Sequence, residues 1–328
     1  MFKARLTISL VCIGLLTVFM YYLVGEKHQP IEARYLPYNH FDLLDIENLI
    51  KSNEKVLTDI KPGLEKTIVW AGTPATRTEY AIVYVHGFSA SLEELRPVPD
   101  LVAKNINANL FFTRLTGHAR TSEAMIEGSV QAWLEDLIEA FKIGTIIGEK
   151  IIFITCSTGG TLAANGILKK LILDQLSGIV FISPNFGVQE KTADLLTWPL
   201  AEYWAPIIAG KLQINDPRNE IHAQYWTTTY PTVSLIPMMK LVEETINLDK
   251  SHSYIPALFY FSPDDKVVDP KKTEVFIHNW KGPKQIIRVL GSDNEDNFNH
   301  LITGKAVSPS QVERTVNEIT RWHQNIKN

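Results

Sequence analysis

The sequence predicts an α/β protein, a mostly parallel central sheet with helices on both faces, preceded by one N-terminal transmembrane helix. Three observations predict it. Short apolar runs alternate with stretches whose apolar residues recur every three or four positions, the pattern of strands alternating with amphipathic helices. Within those runs successive residues are apolar, as in Ala81-Ile82-Val83-Tyr84-Val85, which marks strands buried on both faces. Residues 6–24, finally, carry no charged side chain. The chain has 328 residues, 45% hydrophobic and 21% charged, enough for one large domain with an insertion rather than a disordered chain.

Residues 6–24 would span about 29 Å as a helix, close to the hydrocarbon thickness of a bilayer. Lys3 and Arg5 precede the run, whereas Glu26, Lys27, Glu32 and Arg34 after it balance in charge. The positive-inside rule then places the N-terminus in the cytoplasm and the domain outside, periplasmic in a bacterium. A cleaved signal peptide is the rival reading, but the run is longer than a usual signal core and Tyr21-Tyr22-Leu23-Val24-Gly25 has no small-x-small site. Residues 1–25 are therefore expected to anchor the chain, and 26–65, with Pro30, Pro37 and Pro62, to form a stalk and a leading helix at 41–57. From 66 to 328 strands are expected at 67–71, 80–85, 109–113, 151–155, 178–182, 257–261 and 285–290. Helices are expected at 93–104, 130–147, 161–173, 272–280 and 311–326. Residues 186–251 break the alternation and form an insertion over the sheet. A net charge of −4 and the lack of a basic block flanked by aromatics argue against a nucleic-acid partner. The two cysteines, Cys12 and Cys156, have no metal-site or redox spacing.

The strand at 151–155 runs through Cys156-Ser157-Thr158-Gly159-Gly160 directly into a helix. A serine at such a sharp turn is pushed out at the carboxyl end of the sheet, and the helix N-terminus offers free N–H groups to a developing oxyanion. This turn resembles the nucleophile elbow of the α/β-hydrolase family, G-x-S-x-G, with Ser157 as the serine, Gly159 as the second glycine and Thr155 in place of the first. Cys156 is the alternative nucleophile, although an elbow presents only its central residue. Upstream, the strand at 80–85 enters His86-Gly87-Phe88-Ser89, similar to the family's oxyanion loop. That resemblance implies backbone donors at Phe88 and Thr158 and a structural His86. Arg114-Leu115-Thr116-Gly117-His118 resembles a family turn and reads as scaffold.

A serine hydroxyl needs a base to take its proton, and the base needs a carboxylate to fix its tautomer. In the family the order is serine, acid, histidine. Ser262-Pro263-Asp264-Asp265-Lys266-Val267-Val268 resembles the acid loop and implies Asp265 as the acid, with Asp264 and Asp269 as alternatives. His300, in the loop before the last helix, is implied as the base, and Asp293, Glu295 and Asp296 beside it would raise its pKa if they approach. The insertion at 186–251 stands where the family places a helical cap. Its aromatics and methionines, Trp198, Trp204, Trp226 and Met238 among them, are candidates to line an acyl channel and equally candidates for the cap's own core. The resemblance implies a serine hydrolase of the monoacylglycerol lipase and lysophospholipase-like type. Its expected substrate is a small-molecule acyl ester of lipid-derived or amphiphilic character, and the chemistry calls for no cofactor or metal. Thioesterase, peptidase, acyltransferase and a silent binding protein of the same fold are the alternatives.

Overall fold

A computed structural model describes residues 14–15, 43–291 and 295–327. Seven strands form one sheet in the order β1 (Thr67–Val69), β3 (Asn109–Phe112), β2 (Thr78–Val85), β4 (Gly148–Cys156), β5 (Leu176–Ile182), β8 (Ala257–Phe261) and β9 (Lys284–Arg288). All neighbours pair parallel except β1, which runs antiparallel to β3.

Strand period two sorts the side chains into two cores. Ala81, Val83 and Val85 of β2 pack with one buried cluster, while Tyr80, Ile82 and Tyr84 pack with the other. The first face is covered by α1 (Ile46–Glu54), α3 (Val130–Ile147) and α4 (Thr158–Leu168). The second is covered by α2 (Val98–Asn105) and α9 (Val312–Lys327), whose Val316, Ile319 and Trp322 form one buried stripe. Ser129 starts α3 by accepting the Ala132 N–H at 3.0 Å, a cap that satisfies one otherwise orphaned donor. The helix expected over 93–104 is instead a short turn at Leu92–Glu94 followed by α2. Pro97 and Pro99 explain the break: proline lacks a backbone donor, and its ring clashes with helical backbone one turn earlier, so it fits only a first turn.

Residues 186–251 contain α5 (Ala201–Ile208), β6 (Leu212–Ile214), α6 (Glu220–Tyr225), β7 (Thr229–Pro231) and α7 (Leu235–Asn247). Strands β6 and β7 pair as a small antiparallel sheet of their own. Helix α7 lays Met238, Met239 and Leu241 into the first core, against α4.

The membrane-spanning helix and the single-pass localisation expected from residues 6–24 are not borne out by the structure. Among the described residues no helix is long and apolar enough to cross a membrane. The 18 residues of α3 come nearest in length, but Glu135, Asp136, Glu139 and Lys142 interrupt them and its apolar side is spent on the sheet. The expected span itself, apart from Gly14 and Leu15, lies outside the described residues.

Helix α1 belongs to the same core. Its Ile46 and Ile50 are buried there, and Glu54 takes both Arg114 Nε and Nη2 at 2.8 Å with both side chains buried. Burial alone raises the Glu54 pKa, but the Arg114 guanidinium and the Lys66 N–H outweigh it and hold the carboxyl below its ordinary value. Removing one partner strands the other charge, so Glu54→Ala is expected to destabilise the fold by about 3–5 kcal/mol, read as a lowered denaturant midpoint with unchanged slope. A loss under about 1 kcal/mol, the size of an exposed pair, would show that this contact does not hold α1 down.

Candidate active site

Parallel sheets present their working loops at the carboxyl ends of the strands, and here β2, β4, β5, β8 and β9 deliver five of them to one place. Strand β4 ends at Cys156 and α4 begins at Thr158, leaving Ser157 alone at the turn with φ +49° and ψ −118°. That backbone is strained for a residue with a side chain, and it is held by Ser157 N–H donating to Ile182 O at 3.0 Å and Asn185 N–H donating to Ser157 O at 3.1 Å. Close packing demands the small neighbour. A Cβ on Gly159 would lie 2.3 Å from Val85 O and 2.6 Å from His86 O. Gly159→Ala is therefore expected to push the helix off β2, costing about 1–3 kcal/mol as overpacking does. A stability curve unchanged from wild type would show that the turn has slack. Thr155, in the position of the first elbow glycine, donates its hydroxyl to Val180 O at 2.8 Å, so its side chain is satisfied inside the sheet and does not crowd the turn.

His300 Nε2 stands 3.2 Å from Ser157 Oγ, and His300 Nδ1 stands 2.8 Å from Asp265 Oδ2. Both His300 and Asp265 are buried. Burial lowers the His300 pKa, yet the charge and hydrogen bond of Asp265 outweigh it and the net displacement is upward. The other Asp265 oxygen, Oδ1, accepts the N–H groups of Val267 and Val268 at 2.8 and 2.9 Å. Asp264 is exposed and accepts the Gly291 N–H at 2.9 Å, while Asp269 caps α8 (Pro270–Asn279) through Lys271 N–H at 2.9 Å. Neither alternative acid therefore faces the imidazole. Cys156 is fully buried, and burial with the Glu94 carboxyl beside it pushes its thiol well up.

Two loops frame Ser157. Thr158 opens α4, so no carbonyl one turn earlier in the helix can take its N–H. Phe88 follows Gly87, where a Cβ would meet Glu94 Oε1 at 2.7 Å and Ser157 Cβ at 3.1 Å, so the Phe88 loop lies directly against the serine. His86 Nδ1 is 2.8 Å from Gly87 O, and its Nε2 accepts the Leu115 N–H at 3.1 Å. Burial pushes His86 well below its ordinary pKa, and His118, with its ring centroid 5.0 Å away, is pushed by burial to about 4. Both rings are thus neutral scaffold that ties the Phe88 loop to the loop after β3.

Sequence reasoning missed Glu94. Its position in an expected surface helix hid a buried carboxyl whose Oε2 accepts the Gly87 N–H and the Tyr84 hydroxyl, each at 2.8 Å. Burial raises its pKa. Of the carboxylates beside His300, Asp296 accepts the His300 N–H at 3.0 Å and the Leu301 N–H at 2.8 Å. Glu295 turns away to Ser310, and Asp293 lies outside the described residues. The insertion's candidates separate. Met238 is buried in the first core, and Trp226 packs with Ala90, Leu301 and Ala306. Trp204 is half-buried and donates to Pro199 O at 3.1 Å, while Trp198 is exposed.

Solved structures with this fold include one of the metagenome-derived lipolytic enzymes LipS and LipT, at TM-score 0.63 and 16% identity, covering 81% of this chain and 99% of that one. The monoacylglycerol lipase of Paleococcus ferrophilus superposes with TM-score 0.60 at 16% identity, covering 80% and 99%. A soluble variant of the Saccharomyces cerevisiae monoglyceride lipase, in complex with a substrate analogue, gives 0.59 at 15% identity, covering 80% and 91%. A search of curated protein sequences finds no match. Residues 76–290, which carry the elbow, the Phe88 loop and the Asp265 loop, match the family described as serine aminopeptidase, S33, and the chain belongs to that family of α/β-fold serine hydrolases.

Proposed function

We propose that the chain hydrolyses carboxylic esters through a Ser157–His300–Asp265 triad and an acyl-enzyme intermediate. The observation that carries this reading is the unbroken path from Ser157 Oγ through His300 Nε2 and Nδ1 to Asp265. Ser157 Oγ attacks the acyl carbonyl carbon as its proton passes to His300 Nε2. The N–H groups of Phe88 and Thr158 hold the resulting oxyanion, an interaction worth about 3–4 kcal/mol per donor in the transition state. Collapse expels the alkoxide, which takes the proton from His300. Water, deprotonated by His300, then attacks the acyl-enzyme, releasing the carboxylic acid and restoring Ser157. Asp265 orients the imidazole and stabilises its charged form throughout.

The insertion favours an amphiphilic acyl ester as the substrate class. Ile207 and Ile208 are 83% and 78% exposed, with Trp198, Tyr203, Leu212 and Ile214 also exposed nearby in the chain. A concentration of exposed apolar residues of this kind suits contact with aggregated or chain-bearing molecules. The monoacylglycerol and monoglyceride lipases sharing the fold are named for such substrates. The test is a panel of p-nitrophenyl esters of increasing chain length, monoacylglycerols, acyl thioesters and aminoacyl p-nitroanilides. Ester kcat/KM exceeding that of the anilides, and rising from short to medium chains, is the expected result. Faster cleavage of the anilides would replace this reading with a peptidase.

A further inference from the structure

The base loop and the Phe88 loop are joined by one stretch of the insertion. Arg218 Nε donates to Asp296 Oδ1 at 2.7 Å, and the Asp296 side chain is wholly buried. Asp296 spends its remaining capacity on backbone, with Oδ2 on the N–H groups of His300 and Leu301 and Oδ1 also accepting from Phe298 at 3.2 Å. The Arg218 guanidinium lies 4.9 Å over the Phe298 ring, and Asn219 Nδ2 donates to Ala306 O at 2.7 Å. Further along the same stretch, Thr227 N–H donates to Ser89 O at 2.8 Å, beside Phe88. His300 therefore has its N–H held by Asp296 and its carbonyl held by Ser183 Oγ at 2.7 Å. Ser183 belongs to the sheet end; Asp296 is tied to the insertion.

We propose that Arg218 is a positioning residue for the hydrolytic reaction, fixing the His300 backbone through Asp296 so that the docking of the insertion sets where the base stands relative to Ser157. This rests on the triad reading above. The lever is short: Ser157 Oγ and His300 Nε2 are already 3.2 Å apart, toward the long end of a useful hydrogen bond. Without Arg218 the buried Asp296 loses its cation, and the loop must shift or admit water to solvate it. The groups that face His300 are Asp265, Glu94, Arg218 and, through its backbone, Asp296. Arg218 opposes the imidazolium, whereas Asp265 and Glu94 favour it.

The experiment compares wild type, Arg218→Gln, Arg218→Lys, Asp296→Asn and the Gln/Asn double variant in the full chain. Steady-state hydrolysis of a short p-nitrophenyl ester is measured across pH, with kcat expressed per site titrated by a fluorophosphonate so that misfolded enzyme is not counted. Arg218→Gln is expected to lower kcat about 10- to 100-fold, as small misplacements of a reacting group do, with KM nearly unchanged and the acid limb moved to higher pH. Arg218→Lys should recover most of kcat. Asp296→Asn should lower kcat similarly while moving the acid limb to lower pH, a sign that a general loosening does not produce. The double variant should fall no further than its worse single, because the two residues act as one unit. A per-site kcat for Arg218→Gln equal to wild type with an unmoved acid limb overturns the proposal, as do single losses that multiply in the double variant. Wild type that the fluorophosphonate does not label overturns the triad reading and this inference with it.

Discussion

Ser157→Ala is expected to lower kcat on a short p-nitrophenyl ester by roughly ten-thousand- to a million-fold, leaving only the rate that binding and oxyanion stabilisation supply. The size follows from the surroundings of the turn. Cys156 is fully buried with its thiol pushed up, so it cannot stand in as nucleophile. Water attacking directly would have to reach His300 Nε2 from the place the hydroxyl vacates, without the covalent intermediate that divides the reaction into two easier steps. Alanine meets the same φ of +49° that serine does, so the elbow stays as strained as before and stability should change by less than about 1 kcal/mol. The measurements are kcat per folded molecule and loss of fluorophosphonate labelling. Turnover at the wild-type rate would move the nucleophile elsewhere.

How much of this was legible in the sequence depends on how local each signal is. The parallel strands were, because runs such as Ile151–Phe153 and Leu258–Tyr260 are apolar on consecutive residues and are buried in that way. The Ser157 turn was legible because strand, small residues and helix are contiguous; the structure adds its strained backbone and how Thr155 is accommodated. The split of the helix near Pro97 is encoded by the two prolines, whose signal competes with an apolar spacing that runs straight through them. The β6–β7 pair was not readable, since three-residue strands are too short for any alternation to register. Glu94 looked like the polar side of an amphipathic helix; only the fold shows that it lies beneath Gly87. The Arg218–Asp296 contact joins residues distant in sequence, and neither has a neighbouring pattern that names the other. Long-range polar pairing leaves no periodicity, which is why the support around the site was hidden while the loops that contain its residues were not.

Asp265→Asn is the second change expected to have a large effect, a fall in kcat of about ten-thousand-fold, and the loop explains why so small a substitution is so costly. Asp265 Oδ1 already receives the N–H groups of Val267 and Val268. An asparagine must keep its carbonyl oxygen on those two donors, which turns its amide N–H₂ toward His300 Nδ1. A donor facing Nδ1 selects the imidazole tautomer protonated at Nε2, and that places a proton, instead of a lone pair, against Ser157 Oγ. The pH dependence should change with it. Burial lowers the His300 pKa and Asp265 more than reverses this, so in wild type the net displacement is upward. Under the triad reading the neutral ring is the active form, so wild-type activity should be lost as pH falls through that raised value. Without the carboxylate, burial acts unopposed by its strongest counterweight, and the acid limb should move to lower pH even as the plateau collapses. Asp264→Asn is the matched control. Its carboxylate is exposed and engaged with Gly291 N–H, so kcat should stay within about twofold of wild type, the small effect usual for a surface substitution. An equal loss in both variants would show that the loop's charge, and not the carboxylate on His300, sustains the reaction.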